Sequence, residues 1–184
     1  MTMRTQRSFR RSMVLPMGCL GLILLAPSGA AAQSTAPPAT PPPCQSLEHR
    51  QFDFWIGEWD VIGRNGQVVG QNSITSKMNG CVLHESFNSG PAYHGQSFNI
   101  YDARRGVWHQ SWVDNGGVLL TIEGGIEEGR MVLRGETAGP GGTTRTNRIT
   151  WTPNQDGTVR QHWEVSTDGG TSWTTSFDGL YRRR

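Results

Sequence analysis

Glu85 sits in Val82-Leu-His-Glu-Ser-Phe87, a run of strand-forming apolar residues that would carry it into a core. A carboxyl taken out of water needs a partner, or it keeps its proton to unusually high pH. Such a group can serve as an acid, a base or a ligand anchor. Paired with an arginine such as Arg148, it is only a buried ion pair. Three further sets alternate along single segments: Ser97, Asn99 and Tyr101; Gln110, Trp112 and Asp114; and Arg160, His162 and Glu164, which interleave with Gln161 and Trp163. Polar groups set between aromatics on neighbouring strands can build a ligand cavity. They can equally face solvent on a wet antiparallel sheet. The candidate ligand-binding residues are Glu85, Ser97, Asn99, Tyr101, Gln110, Trp112, Arg148, Gln161 and Trp163. Alternation assigns each to a face of its strand without saying which face is interior.

Several chemistries find no residues here. The five histidines, His49, His84, His94, His109 and His162, form no His-x-His pair and no His-Glu-x-x-His motif, so no metal site is expected. No cofactor is expected either, apart from a haem held by a histidine on a distant strand. There is no Gly-x-Ser-x-Gly elbow and no phosphate-cradling loop, and the single Lys77 argues against Schiff-base chemistry. No catalytic residues are assigned.

The elements that would position these side chains are short strands. Turn signals recur at Asn65-Gly66, Asn79-Gly80, Ser89-Gly-Pro91, Arg104-Arg-Gly106, Asn115-Gly-Gly117, Glu128-Gly129, Ala138–Gly142, Asn154–Gly157 and Asp168-Gly-Gly170, and strand-length segments lie between them. Spacing of this kind predicts about ten antiparallel strands joined by hairpins. In 106–114 both alternating faces mix polar and apolar residues, and in 158–166 the face of Val159, Gln161, Trp163 and Val165 does so too. That mixture favours a barrel with a partly polar interior over a dry sandwich. Ahead of the strands, Leu47–Phe54 predicts a short helix laying Leu47, Phe52 and Trp55 on a barrel mouth. Gly57 then offers backbone angles that other residues reach only at a cost. Trp59 opens the first strand, where its ring can plug the barrel end while its N–H finds an acceptor.

Residues 1–32 read as a signal peptide. Arg4, Arg7, Arg10 and Arg11 precede an apolar run, and Ala30-Ala-Ala32 supplies small residues for cleavage near Ala32. The run is too short for a membrane span. Sec and Tat export both remain open. Residues 33–46 form a Pro/Ala-rich spacer, and residues 47–184 form one domain. The signal carries four of the 17 basic residues and none of the 15 acidic ones, which leaves the mature chain at net charge −2. It has no basic stripe for nucleic acid. Export leaves Cys44 and Cys81 in an oxidising compartment, periplasmic or extracellular, where a disulfide between them is expected.

Gly57-Glu58-Trp59 resembles the Gly-x-Trp start of the lipocalin and calycin barrels. There the tryptophan packs on an arginine at the end of the last strand, so the resemblance nominates Arg182 or its neighbour Arg183, with Arg182 the first choice. From Gln51 to Arg184 the chain resembles a bacterial domain-of-unknown-function family with a lipocalin-like barrel. The matching features are Phe52-Asp-Phe-Trp-Ile-Gly-Glu-Trp59, Gly80–Glu85, Gly95–Asp102, Trp108–Asp114 and the closing Phe177-Asp-Gly-Leu-Tyr-Arg182. This resemblance implies a fold and no settled activity. Nitrobindin-type haem barrels are a more distant resemblance, and no histidine here matches their proximal ligand. Ser166-Thr-Asp-Gly-Gly-Thr-Ser-Trp173 resembles the Asp-box of secreted β proteins, which implies a hairpin clasp rather than a catalytic site.

The expected fold is therefore an all-β, antiparallel, calycin-like barrel. The leading expectation for its function is binding of a small apolar or amphipathic molecule inside. One alternative is an acid–base enzyme of isomerase, lyase or hydratase type, which needs Glu85 to meet Arg148 or His162 in one cavity. The other is an interaction module that docks a partner on an exposed tryptophan face. Oligomeric state is not legible in the sequence.

Overall fold

The computed structural model of the protein describes residues 43–184. The expected signal peptide and most of the expected spacer lie outside the described residues. Ten strands run in order: β1 (Gly57–Ile62), β2 (Val68–Lys77), β3 (Val82–Asn88), β4 (His94–Asp102), β5 (Val107–Asp114), β6 (Leu119–Glu127), β7 (Arg130–Ala138), β8 (Thr144–Pro153), β9 (Val159–Ser166) and β10 (Thr174–Arg183). Each pairs antiparallel with its sequence neighbour, and β1 also pairs with β10, so the sheet closes into a barrel. Every turn signal falls on a connection between strands. Closure leaves no edge strand to be protected.

Period two sends one residue set inward along each strand. On β8 these are Asn147, Ile149 and Trp151, and on β7 they are Met131 and Leu133, with the four apolar members of the group at most 3% exposed. One barrel end is filled with rings. Phe52 stacks on Trp55 at 4.9 Å and meets Trp151 and Trp108 edge-on at 5.1 and 5.6 Å. The segment that delivers these rings is two 3-10 turns, Leu47–Arg50 and Asp53–Trp55, rather than one helix. Because the segment breaks at Gln51–Phe52, Leu47 does not share the inward face. Leu47 is 84% exposed, and His49 is buried instead, edge-on to Tyr101.

The Cys44–Cys81 disulfide ties this plug to the start of β3. Arg50 supports the tie by donating to Cys44 O at 3.3 Å and to Gly80 O.

At the plug the terminal arginine corrects an expectation. Trp59 lies opposite Arg183 in the β1–β10 register, and Asp60 lies opposite Arg182. Directly opposed residues share a face. The guanidinium over the Trp59 ring, 4.5 Å from its centroid, is accordingly that of Arg183. Arg182, one residue earlier, projects to the other side. Trp59 Nε1 donates to Trp55 O at 2.9 Å. Gly57 makes room for the arrangement. Its φ is +153°, and a Cβ there would lie 2.5 Å from Arg183 Nη1. Gly57→Ala should therefore strain the backbone, push Arg183 off the ring and lower stability by about 2 kcal/mol. Urea denaturation checks this.

The Asp-box segment joins β9 to β10 as a clasp. Asp168 accepts hydrogen bonds from Ser172 N–H at 2.9 Å and from Ser172 Oγ at 2.6 Å, and Trp173 Nε1 donates to Gly170 O at 3.0 Å. The motif satisfies its own turn and adds no reactive group.

Candidate functional site

The other barrel end is not filled. A hollow of about 80 Å³ lies between the middle of β3 and the mouth at this end, where Tyr93 of the β3–β4 connection lines it. Its walls are the rings of Phe87, Tyr93, Trp112, Trp163 and Phe177, with Leu120 and Ile149 beneath. Three inward glycines let these rings lie along the wall. A Cβ on Gly70 would strike Phe87, one on Gly95 would strike Trp112 at 2.3 Å, and one on Gly179 would strike Phe177. Trp163 is further held by Nε1 donating to Asn147 Oδ1 at 3.0 Å.

A chain of polar side chains crosses the barrel at the floor of the hollow. Glu85, 3% exposed, accepts from Asn72 Nδ2 at 2.7 Å on one oxygen and from Ser97 Oγ at 2.6 Å on the other. Ser97 Oγ in turn receives Asn99 Nδ2 at 2.9 Å and Gln110 Nε2 at 3.3 Å. Gln110 Nε2 also reaches Asn99 Oδ1 at 2.8 Å. On the far side Asn72 Nδ2 lies 3.2 Å from the Tyr181 hydroxyl, which donates to Gln161 Oε1. The register explains the chain: Glu85 faces Ser97 across β3–β4, and Asn99 faces Gln110 across β4–β5.

Burial pushes the Glu85 carboxyl up to about 7, against the lowering effect of the Ser97 and Asn72 hydrogen bonds. Tyr181 is pushed up by burial and then by the Glu85 charge. At the mouth Tyr93 is pushed up to about 12 by burial and by nearby Asp114, whose Oδ2 accepts from it at 3.2 Å.

Arg148 does not line this hollow. On β8 the inward set is Asn147, Ile149 and Trp151, so Arg148 is on the outer wall. There it donates to Glu164 at 2.9 and 3.1 Å and covers Trp173 at 3.9 Å. The sequence carried the signal for this, because Ile149 and Trp151 share a parity that Arg148 lacks. His162, between the inward residues Gln161 and Trp163, lies on the same outer wall, within reach of Glu164 and Thr175. Neither meets Glu85, so the acid–base pairs considered from sequence are not assembled.

Tyr101 points inward at the plugged end, 6.1 Å from Trp108, away from the hollow. Ser97 and Asn99 stand behind its lining as members of the polar chain. Glu85, Gln110, Trp112, Gln161 and Trp163 line it directly. The sequence reading missed Asn72, Phe87, Phe177 and Tyr181, although Phe177, Gly179 and Tyr181 share a parity in the closing motif. Tyr93 sits in a connection, where alternation says nothing.

None of the five histidines lines the hollow. The residues lining it therefore do not fit a histidine-held haem. The tryptophans form no exposed face: Trp55, Trp59, Trp108 and Trp151 are at most 2% exposed, Trp112 and Trp163 turn into the hollow, and Trp173 is half-buried beneath the Arg148 guanidinium. Exposed apolar side chains of the outer wall include instead Phe98, Ile100, Val113 and Leu119 on β4–β6. No helix among the described residues is long and apolar enough to cross a membrane.

No protein-family model matches the chain, and no curated protein matches it significantly.

Proposed function

We propose that the barrel binds a small, mostly apolar or amphipathic molecule without covalent chemistry, in the hollow above Glu85. One observation carries this reading: aromatic rings wall a space that the chain leaves open, and a single buried carboxyl sits at its floor. Sites for small molecules combine apolar walls with a few polar anchors in this way. At about 80 Å³ the space suits one ring or a short chain. It is small beside the several hundred Å³ (roughly) of drug-sized sites.

The disulfide supports export to an oxidising compartment, in line with the signal-like residues 1–32. The closed barrel, with its Gly-x-Trp start, supports kinship with the bacterial lipocalin-like family named above.

The test is a titration followed by NMR. One-ring and short-chain compounds should shift the indole N–H resonances of Trp112 and Trp163 and leave those of Trp59 and Trp108 in place. If no compound moves the two indoles in the hollow, the reading fails.

A further inference from the structure

We infer that the molecule taken by this hollow is a small organic cation, a protonated amine carried on an apolar body. The inference rests on the binding reading above and narrows it to one ligand chemistry.

The charges that face the space are of one sign. Glu85 lies at its floor, and Asp114 lies at its mouth, accepting from Tyr93 Oη at 3.2 Å and from Trp112 Nε1 at 3.5 Å. Backbone N–H groups of Gly116 and Val118, at 2.9 and 3.1 Å, also hold Asp114 in its ionised form. Among the described residues no arginine, lysine or histidine lines the hollow. Arg148, the cation that could have answered Glu85, is spent on Glu164 outside.

The direction of the hydrogen bonds points the same way. Ser97 Oγ already receives two N–H groups, so its own O–H is committed to Glu85. Asn72 also approaches Glu85 with N–H. Both neighbours therefore donate, which is the arrangement that serves a carboxylate. A buried carboxylate with donors but no cation is electrostatically incomplete. Each oxygen keeps a lone pair, and the surrounding Trp112, Trp163, Tyr93 and Phe87 present π-faces that attract positive charge. An anion meets the Glu85 carboxylate there, with Asp114 close behind Tyr93 and Trp112. A neutral molecule leaves the charge on Glu85 unanswered.

Protons follow from this. The groups facing Glu85 are Asn72 on β2, Ser97 on β4, Gln110 on β5, Gln161 on β9, Tyr181 on β10 and, toward the mouth, Tyr93 and Asp114. The tyrosines are pushed upward and stay neutral below pH 9. Asp114 is lowered; its burial opposes this, and the hydrogen bonds from the Val118 and Gly116 N–H groups, Trp112 and Tyr93 together outweigh it. Glu85 is thus the group facing the hollow that changes charge near neutrality. A cation must displace its proton.

The experiment compares benzylamine, benzyl alcohol and benzoate by calorimetry on the mature protein. At pH 8 benzylamine should bind at least tenfold more tightly than benzyl alcohol, and benzoate should not bind. Between pH 8 and pH 6, where benzylamine keeps its charge, its affinity should fall roughly tenfold. At pH 7, titration in two buffers of different ionisation heat should show release of about half a proton. Glu85→Gln should abolish the preference for benzylamine over benzyl alcohol. The pH and proton-release arms use the unmodified protein and stand even if that variant does not fold. If benzyl alcohol binds as well as benzylamine, or no proton is released, the cation inference is overturned and the binding reading survives. If none of the three binds, both fall.

Discussion

Raising the pH from 5 to 8 is expected to destabilise the ligand-free barrel by on the order of 3 kcal/mol through Glu85 alone. In the unfolded chain this carboxyl ionises near 4.5, and in the folded barrel burial raises it to about 7. Between those values the folded protein holds a proton that the unfolded chain has lost, so stability falls as pH rises. The contribution is complete below 4.5 and is lost as pH rises through about 7. For a domain of this size the change corresponds to roughly 10 °C in Tm. Acid works in the opposite direction on exposed carboxylates of the outer wall and the β9–β10 clasp. Glu123, held at about 2 by Arg105 and His109, and Asp168, held at about 2 by Ser172, lose their favourable interactions as pH drops below the ordinary carboxylate range. A stability maximum near pH 5 is the expected outcome. Thermal melts from pH 4 to 9 check it, with Glu85→Gln as the comparison. In that variant Asn72 can turn its amide and present Oδ1, which is buried with no hydrogen-bond partner among the described residues. The slope between pH 5 and 8 should then shrink by most of its size. A wild-type profile flat across that range would mean that Glu85 is not desolvated as the barrel requires.

Trp59→Ala should cost about 3–5 kcal/mol. The ring is fully buried, its Nε1 holds the second 3-10 turn through Trp55 O, and it lies 6.2 Å from the Tyr181 ring. Its loss opens the plugged end and frees the segment that carries Phe52 and Trp55. Two arginine variants separate the plug from general surface effects. Arg183→Ala should cost about 1 kcal/mol, the scale of an exposed cation–π contact. Arg182→Ala should stay within about 0.5 kcal/mol, as surface changes usually do. Chemical denaturation of the three variants would read these values. An Arg182 effect equal to or larger than the Arg183 effect would contradict the closure geometry.

The placement of the strands was legible because their signals are local. A hairpin turn needs glycine or asparagine where φ is positive, and period two needs only the next residue but one. The buried carboxyl was legible for the same reason, since Glu85 stands among Val82, Leu83 and Phe87. The mate of Trp59 was narrowed to two neighbouring arginines, and one step of register chose between them. Arg148 shows where residue type misleads. An arginine near a buried acid suggests a pair, but alternation along β8 had already put it on the wall with Ile149 and Trp151 facing the other way.

By itself, then, the sequence determined an antiparallel barrel with a ring-filled end, a disulfide between Cys44 and Cys81, and an acid in the interior. Tertiary structure alone decided that this acid has no cation beside it among the described residues. It also decided that the polar chain from Gln110 to Gln161 runs across six strands, and that a hollow remains above that chain. Those facts depend on which side chains meet after the sheet has closed, at separations of up to 109 residues between Asn72 and Tyr181. Local spacing carries the rules for making strands and turns, whereas an inventory of the charges facing one enclosed space exists only once the wall is complete.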